Sequence, residues 1–122
     1  MEKLTQQFTV KAEDTAIALG SGSLEVLATP RMIAWMENTA MHLCAKHIAD
    51  SATETTVGIM INANHTKASK VGTVVTVEAS IAAIDGRKTS LAIRATDDKG
   101  NEIGTATHER FTVNTERFMS KL

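Results

Sequence analysis

The spacing of apolar residues along the chain changes from a helical period to a period of two near Thr55. Before that point, apolar side chains recur every three or four residues within VLATPRMIAWMENTAMHLCAKHIAD. At about 100° per residue, one face of a helix there carries an apolar set: Met32, Met36, Ala40, Leu43 and Cys44, extended by Ile33 and Ile48. The pattern predicts a helix of roughly five turns. It would begin at Thr29–Pro30, with Thr29 capping the free amides.

After Thr55, apolar and polar residues alternate as they do in strands with one buried face. The expected inward positions fall into three sets: Val57, Ile59, Ile61 and Ala63; Val75, Val77, Ala79, Ile81 and Ala83; and Leu91, Ile93 and Ala95. Turn sequences at Asp85–Gly86 and 97–101 separate the later strands. A last strand is expected from about Glu102 to Asn114, and FTVKAED near the N-terminus could add another.

One long helix followed by four strands in meander-like succession predicts an α+β fold. A helix with a wide apolar face and a sheet with one apolar face bury both surfaces when the sheet wraps around the helix. The hot-dog fold is the best-known form of this layout. At 122 residues, we expect a single domain spanning positions 1–122. The exposed edges of a lone sheet also favour pairing with a second chain.

Composition narrows the functional class. Hydrophobic residues make up 43% of the chain and charged residues 22%, with a formal net charge of −1, and there is no basic patch of the kind that binds nucleic acid or a membrane surface. The single cysteine, Cys44, excludes an internal disulfide and fits a reducing compartment. With no apolar signal core and no membrane-spanning run, we expect a cytoplasmic protein.

Two ionisable side chains fall on faces that the pattern assigns to the interior. Glu37 lies on the helix face between Ile33 and Ile48, and His65 continues the odd-numbered series of its strand. Either has a structural interpretation, in which Glu37 reaches water at the edge of the face and His65 is a satisfied core residue. The functional interpretation places both at one seam between helix and sheet, where each offsets the other's desolvation and the histidine moves protons near neutral pH.

The spacing along the helix bears on where a site would lie. Thr29 could present its hydroxyl to a ligand, and the amides at a helix start stabilise a developing oxyanion. Eight residues separate Thr29 from Glu37, which corresponds to about 12 Å along a regular helix. Direct contact within one chain is therefore disfavoured, and we interpret the gap as a sign of a site at a dimer interface, bridged by substrate, His65 or a second subunit.

Metal chemistry is not indicated. His42, Cys44 and His47 do not converge on one point of a helix, and His108 has no partner at ligand spacing. We therefore expect neither a metal site nor a cofactor.

Three segments carry a family resemblance. VLATPRMIAWME, VGIMINANHTKAS and IGTATHERF resemble the fluoroacetyl-CoA thioesterase-like branch of the hot-dog thioesterases, from about Leu24 to the C-terminus. The resemblance implies a catalytic set of Thr29, Glu37 and His65, with Gly58 and Arg110 in substrate binding. It also implies homodimers with sites at the subunit interface. Fluoroacetyl-selective members carry aromatic lid residues where this chain has Gly20–Ser23, so the resemblance does not extend to that selectivity.

The leading hypothesis is an acyl-CoA thioesterase acting on a small or medium acyl group. Glu37 would attack the thioester or activate water, His65 would assist proton transfer, and Thr29 would orient the reacting groups. The expected partners are acyl-CoA, whose CoA is part of the substrate, and a second copy of the chain in a homodimer or a tetramer. Candidate contacts for the CoA phosphates are Lys67, Lys70, Arg87 and Lys88. The alternatives are a hot-dog hydratase or dehydratase, and a non-catalytic acyl-CoA-binding module.

Overall fold

Five antiparallel strands form one sheet that wraps a single long helix. The computed structural model describes residues 2–122. Its elements are β1 (Lys3–Thr9), a 3-10 turn (Ala12–Asp14), α1 (Ala16–Leu19), α2 (Thr29–Ala45), β2 (Glu54–His65), β3 (Val74–Asp85), β4 (Lys88–Thr96), β5 (Glu102–Asn114) and α3 (Thr115–Ser120). Within residues 2–122, no helix is long and apolar enough to cross a membrane. The α+β prediction is confirmed.

The apolar face of α2 forms the centre of the core, as its periodicity predicts. Met32, Met36, Ala40 and Leu43 are fully buried. They pack with inward-facing residues of the strands: Val75, Val77, Ala79, Ile81, Leu91, Ile93, Ala95, Ile103 and Ala106. On the flank, the rings of Trp35 and Phe8 stack with centroids 4.9 Å apart, and this contact joins α2 to β1. The burial of both apolar faces therefore holds helix and sheet together.

The strand order is β1-β3-β4-β5-β2, which corrects the expected meander. Strands β3, β4 and β5 follow one another through the predicted turns, but β2 lies beyond β5 at the far edge of the sheet. Sequence patterns give each strand's faces but not its neighbours, because a loop of several residues reaches either edge of a sheet. The consequence is that β2, a strand of 12 residues, has one unpaired edge.

Two β-bulges move side chains away from their expected positions. The pairing of β2 shifts between Gly58 and Met60, so Ile59 is 52% exposed instead of facing the core. Past the bulge, Ile61 packs against the core as predicted. The pairing of β3 likewise shifts between Ile81 and Ala83, and Ala83 is exposed. A bulge inserts one unpaired residue and reverses the inward parity along a strand, which a constant period of two does not anticipate.

The start of α2 corrects the proposed cap. Thr29 is the first helical residue, Ala28 holds the capping position, and no side chain caps the helix. The hydroxyl of Thr29 bonds to His65 instead. Pro30 lies at the second helical position, one residue later than predicted, where its missing N–H still costs no helical hydrogen bond.

There is no room for a side chain at Gly104, between β5 and the neighbouring β2 and α2. A Cβ at this position would lie 2.7 Å from the backbone oxygen of Asn64 and 2.7 Å from Sδ of Met32. We therefore expect Gly104→Ala to lower the free energy of unfolding by about 1–3 kcal/mol through overpacking, measured by urea denaturation. Thr107→Ala, on the exposed face of the same strand, is the control and should cost less than about 1 kcal/mol. Equal effects of the two substitutions would contradict the close packing.

Candidate active site

Thr29 and His65 form a hydrogen-bonded pair where the start of α2 meets the end of β2. The Thr29 hydroxyl lies 2.7 Å from Nδ1 of His65. Both residues line a cavity of about 280 Å³, together with Ala16, Ser21, Val26, Leu27, Thr66, Lys67 and Ala68. Ser21 belongs to the small-residue loop at 20–23, so that loop borders the cavity. The pair therefore presents a hydroxyl and an imidazole to a space that is large enough for a small acyl group.

The surroundings of His65 favour its neutral form. Burial lowers the pKa of His65 below its ordinary value of 6.5, and the backbone of Lys67 offsets part of that shift. Nε2 of His65 is buried and has no hydrogen-bond partner among the described residues. A neutral imidazole with one nitrogen unengaged can accept or deliver a proton.

A second group of side chains surrounds the position of Gly58. A Cβ there would lie 3.3 Å from Oε2 of Glu37, 3.3 Å from Cε1 of His108 and 3.4 Å from Nη1 of Arg110. We refer to this space as the Gly58 recess. A carboxylate, an imidazole and a guanidinium thus surround one point, and a side chain at position 58 would press against all three.

The charges around the recess are unequally buried. Arg110 is 7% exposed and His108 is 1% exposed, while Glu37 is half-buried. Burial lowers the pKa of Arg110, although Cys44 and Glu37 nearby raise it. Among the described residues, Glu37 takes part in no hydrogen bond or ion pair within 4.0 Å. Its carboxylate is therefore free to act on a ligand in the recess.

Within one chain, the site residues divide into two separate groups. Thr29 and His65 form one, and Glu37, Gly58 and Arg110 form the other. The groups are about 12 Å apart along α2, from Thr29 to Glu37, and about 23 Å apart along β2, from Gly58 to His65. His65 pairs with Thr29, and its Nε2 has no partner among the described residues, so the expected pairing of His65 with Glu37 is not found within a single chain.

The helix start offers a single unengaged amide. The amides of Leu27 and Ala28 donate to Ser69 and Asp14, and those of Arg31 and Met32 both donate to Ala28. Pro30 has no N–H. Within the described residues, the N–H of Thr29 is the remaining donor, and it lies beside the Thr29–His65 cavity.

The candidate phosphate contacts lie in two places. Lys67 and Lys70 line a cavity of about 610 Å³ next to the Thr29–His65 cavity, and Lys67 is 3.2 Å from Asp97. Arg87 and Lys88 instead pair with Glu54 and Glu109, at 3.3 and 3.7 Å. Lys67 and Lys70 are therefore the better placed of the four for an anion near the Thr29–His65 pair.

Sequence reasoning missed His108. The even-numbered residues of β5 face inward, and His108 shares this parity with Gly104, Ala106 and Arg110. The inward parity that His108 shares with Arg110 was therefore the available signal that these two polar side chains lie on the inner face of the strand. His108 was set aside because it had no partner at metal-ligand spacing, a criterion that does not apply to a hydrogen bond with the guanidinium two residues away.

Comparison with known proteins identifies the family. A family model described as fluoroacetyl-CoA-specific thioesterase matches residues 10–116. The fluoroacetyl-CoA thioesterase of Streptantibioticus cattleyicolor is 32% identical over 127 aligned positions, which cover 99% of this chain and 89% of that protein. A solved structure of a threonine-to-serine variant of the fluoroacetyl-CoA thioesterase FlK, in complex with acetyl-CoA, is 32% identical with a TM-score of 0.90. That match covers 98% of this chain and 92% of the other.

A more distant thioesterase superfamily member from Thermus thermophilus shares the fold, with a TM-score of 0.89 at 19% identity over 98% of this chain and 86% of the other. The predicted hot-dog fold, the family resemblance and the thioester hydrolase class are confirmed. The chain belongs to the fluoroacetyl-CoA-specific thioesterase family and is an acyl-CoA thioesterase with the hot-dog fold.

Proposed function

We propose that the enzyme hydrolyses a small acyl-CoA thioester at a site composed from two protomers of a homodimer. Thr29 and His65 of one protomer would act with Glu37, Gly58 and Arg110 of the other. The observation that carries this proposal is the division of these residues into two groups about 12 Å apart along one helix. The Thr29–His65 group has no carboxylate, and the imidazole beside Glu37, that of His108, has both ring nitrogens engaged by Met60 and Arg110. Neither group alone therefore offers a carboxylate together with an imidazole that is free to move a proton.

The edge of β2 supports association with a second copy. This strand lies at the end of the sheet, next to β5 only, and the bulge region exposes Ile59 and Met60 at 52% and 39%. A long apolar edge favours pairing with another strand. The opposite edge, β1, has the polar sequence KLTQQFT and is a weaker candidate. Since Gly58 lies on β2, a partner strand there would cover the recess.

The chemistry follows from the side chains available. The Glu37 carboxylate either removes a proton from the water that attacks the thioester carbonyl or attacks that carbonyl itself, forming an anhydride that water then cleaves. The N–H of Thr29 is the donor for the developing oxyanion. Neutral His65 takes up the proton that the attacking water loses and passes it to the departing CoA sulfur, so that Glu37 and His65 both end the cycle in their starting forms. The products are the free carboxylic acid and the CoA thiol, which balances the addition of one water.

The size of the acyl group is argued from the Thr29–His65 cavity. Its volume is about 280 Å³, and Ala16 and Ser21 among its lining residues are small. A small acyl chain fits this space, in keeping with the acetyl-CoA bound to the FlK variant. The small-residue loop at 20–23 supplies no aromatic side chain to the cavity, so the proposal does not include selectivity for the fluoroacetyl group.

A complementation assay tests the composite site. We expect wild-type protein to release free thiol from acetyl-CoA. The single variant Glu37→Gln and the double variant with Thr29→Ala and His65→Gln should each lose more than about 100-fold in kcat/KM. When these two variants are mixed and reassembled, half of the dimers regain one intact site. Activity should then return to about a quarter of the wild-type value.

Two controls accompany the mixture. Refolding either variant alone should restore nothing, and mixing His65→Gln with Thr29→Ala should also restore nothing, because both residues belong to the same half. No recovery in the first mixture would contradict the composite site. Absence of thiol release by wild-type protein on a panel of acyl-CoA esters that it binds would contradict hydrolysis and favour a binding module.

The pH dependence tests the role of His65. The proposed catalytic form contains neutral His65, and burial lowers the pKa of this imidazole below 6.5. We therefore expect kcat/KM to stay level as pH falls to about 6.5 and to decline at lower pH, as His65 of the free enzyme becomes protonated. An NMR titration of His65 should give the same midpoint. A decline that is centred above pH 6.5 would contradict the assignment.

A further inference from the structure

We infer that His108 is a positioning residue, which holds the Arg110 guanidinium at the Gly58 recess by accepting a hydrogen bond from Nη1. The inference deepens the proposed function and rests on it for the role of the recess. It concerns a side chain outside the Thr29, Glu37 and His65 set.

The partners of Arg110 leave its guanidinium little freedom. Its Nε donates to the hydroxyl of Thr56 at 2.9 Å, and its Nη2 donates to the backbone oxygen of Thr56 at 2.9 Å. These two bonds fix one side of the planar group. Nη1, on the other side, lies 3.3 Å from Nε2 of His108. Three of the five N–H donors of the side chain are thus engaged.

The partners of His108 determine its protonation state. Nδ1 lies 2.7 Å from the backbone oxygen of Met60, and because a carbonyl only accepts, Nδ1 carries the proton. A guanidinium only donates, so Nε2 accepts from Arg110 and is unprotonated. Burial lowers the pKa of His108, and Arg110 lowers it further, while Met60 and Glu37 raise it. His108 is therefore neutral at neutral pH.

The Arg110 atom that His108 holds is also the one that lies nearest to the Cβ position of Gly58. Nη1 is the Arg110 nitrogen that lies 3.4 Å from the position of a Cβ on Gly58. One of its N–H groups is directed to His108, which leaves the second for a substrate oxygen beside Glu37. A neutral acceptor fixes the guanidinium without cancelling its charge, whereas a carboxylate in the same place would neutralise it.

The bulge in β2 belongs to this arrangement. The shift in pairing falls between Gly58 and Met60, and Met60 supplies the carbonyl that accepts from His108. A β-bulge changes the direction of local backbone groups. The same irregularity therefore lies beside the space at Gly58 and orients the imidazole that borders it.

Two matched amide substitutions separate the two hydrogen bonds of the imidazole. In His108→Gln the amide oxygen reaches the Nε2 position and can accept from Arg110. In His108→Asn the shorter amide can donate to Met60 but leaves Nη1 without its acceptor. We expect His108→Asn to raise the KM for acetyl-CoA about tenfold, with a smaller change in kcat, and His108→Gln to stay within about threefold of wild type.

A double-mutant cycle tests whether His108 acts through Arg110. In an Arg110→Lys background, His108→Asn should cause almost no further loss, because the nitrogen that it positions is already absent. Additive losses, equal losses from the Gln and Asn variants, or unchanged kinetics in both would each overturn the inference. Urea denaturation of every variant identifies any loss that is due to unfolding.

Two measurements remain decisive if no thiol release is found. Long-range ¹H–¹⁵N NMR of the wild-type protein should show His108 protonated at Nδ1 and not at Nε2. Calorimetry with an acetyl-CoA analogue whose sulfur is replaced by methylene should show the same order of affinity, with His108→Asn weakened and His108→Gln retained. A proton on Nε2, or equal affinities of both variants, would overturn the inference independently of hydrolysis.

Discussion

The buried guanidinium of Arg110 needs hydrogen-bond partners, and this need determines which residues surround Gly58. Arg110 is placed on the inner face of β5 by strand parity, where a charged group is costly unless its donors are engaged. Thr56 on β2 accepts twice and His108 once. Those contacts require β2 and β5 to pair in one alignment, and they turn one guanidinium edge toward Glu37. The neighbourhood that satisfies this charge is therefore also the one that brings a carboxylate and a cation together beside an exposed glycine.

The apolar pattern predicted most of the fold, because burial of the α2 face and of the sheet face is enforced by many residues at once. Met32, Met36 and Leu43 lie where the helical period puts them, as do Leu91 and Ile93 in β4. Strand order was not predictable in the same way. The position of β2 beside β5 depends on contacts such as those of Arg110 with Thr56, which join residues that are distant in the sequence. Ile59 was misplaced for a local reason, since a bulge interrupts its parity.

The residues of the candidate site were identified more readily than their contacts. Glu37 and His65 stood out as polar groups on apolar faces, and the helical rise showed that Thr29 and Glu37 do not meet. The cap assigned to Thr29 was wrong, because the hydroxyl bonds to His65, a residue 36 positions away. His108 was missed because its significance lies in what it accepts, and sequence spacing does not reveal a hydrogen-bond direction. Hydrogen bonds such as these can be recognised only when the relative positions of the strands and the helix are known.

The bulge in β2 also affects how this strand tolerates change in evolution. Before the bulge, Thr56 and Gly58 face inward on even numbers; after it, Ile61 and His65 do so on odd numbers. The inward parity thus changes at the bulge, and the one extra residue accounts for the change. Substitutions at outward positions do not alter this parity. Loss or gain of a single residue would turn the inward side chains at one end of the strand to the opposite face. The outward positions of the strand are therefore the tolerant ones, whereas its length is constrained.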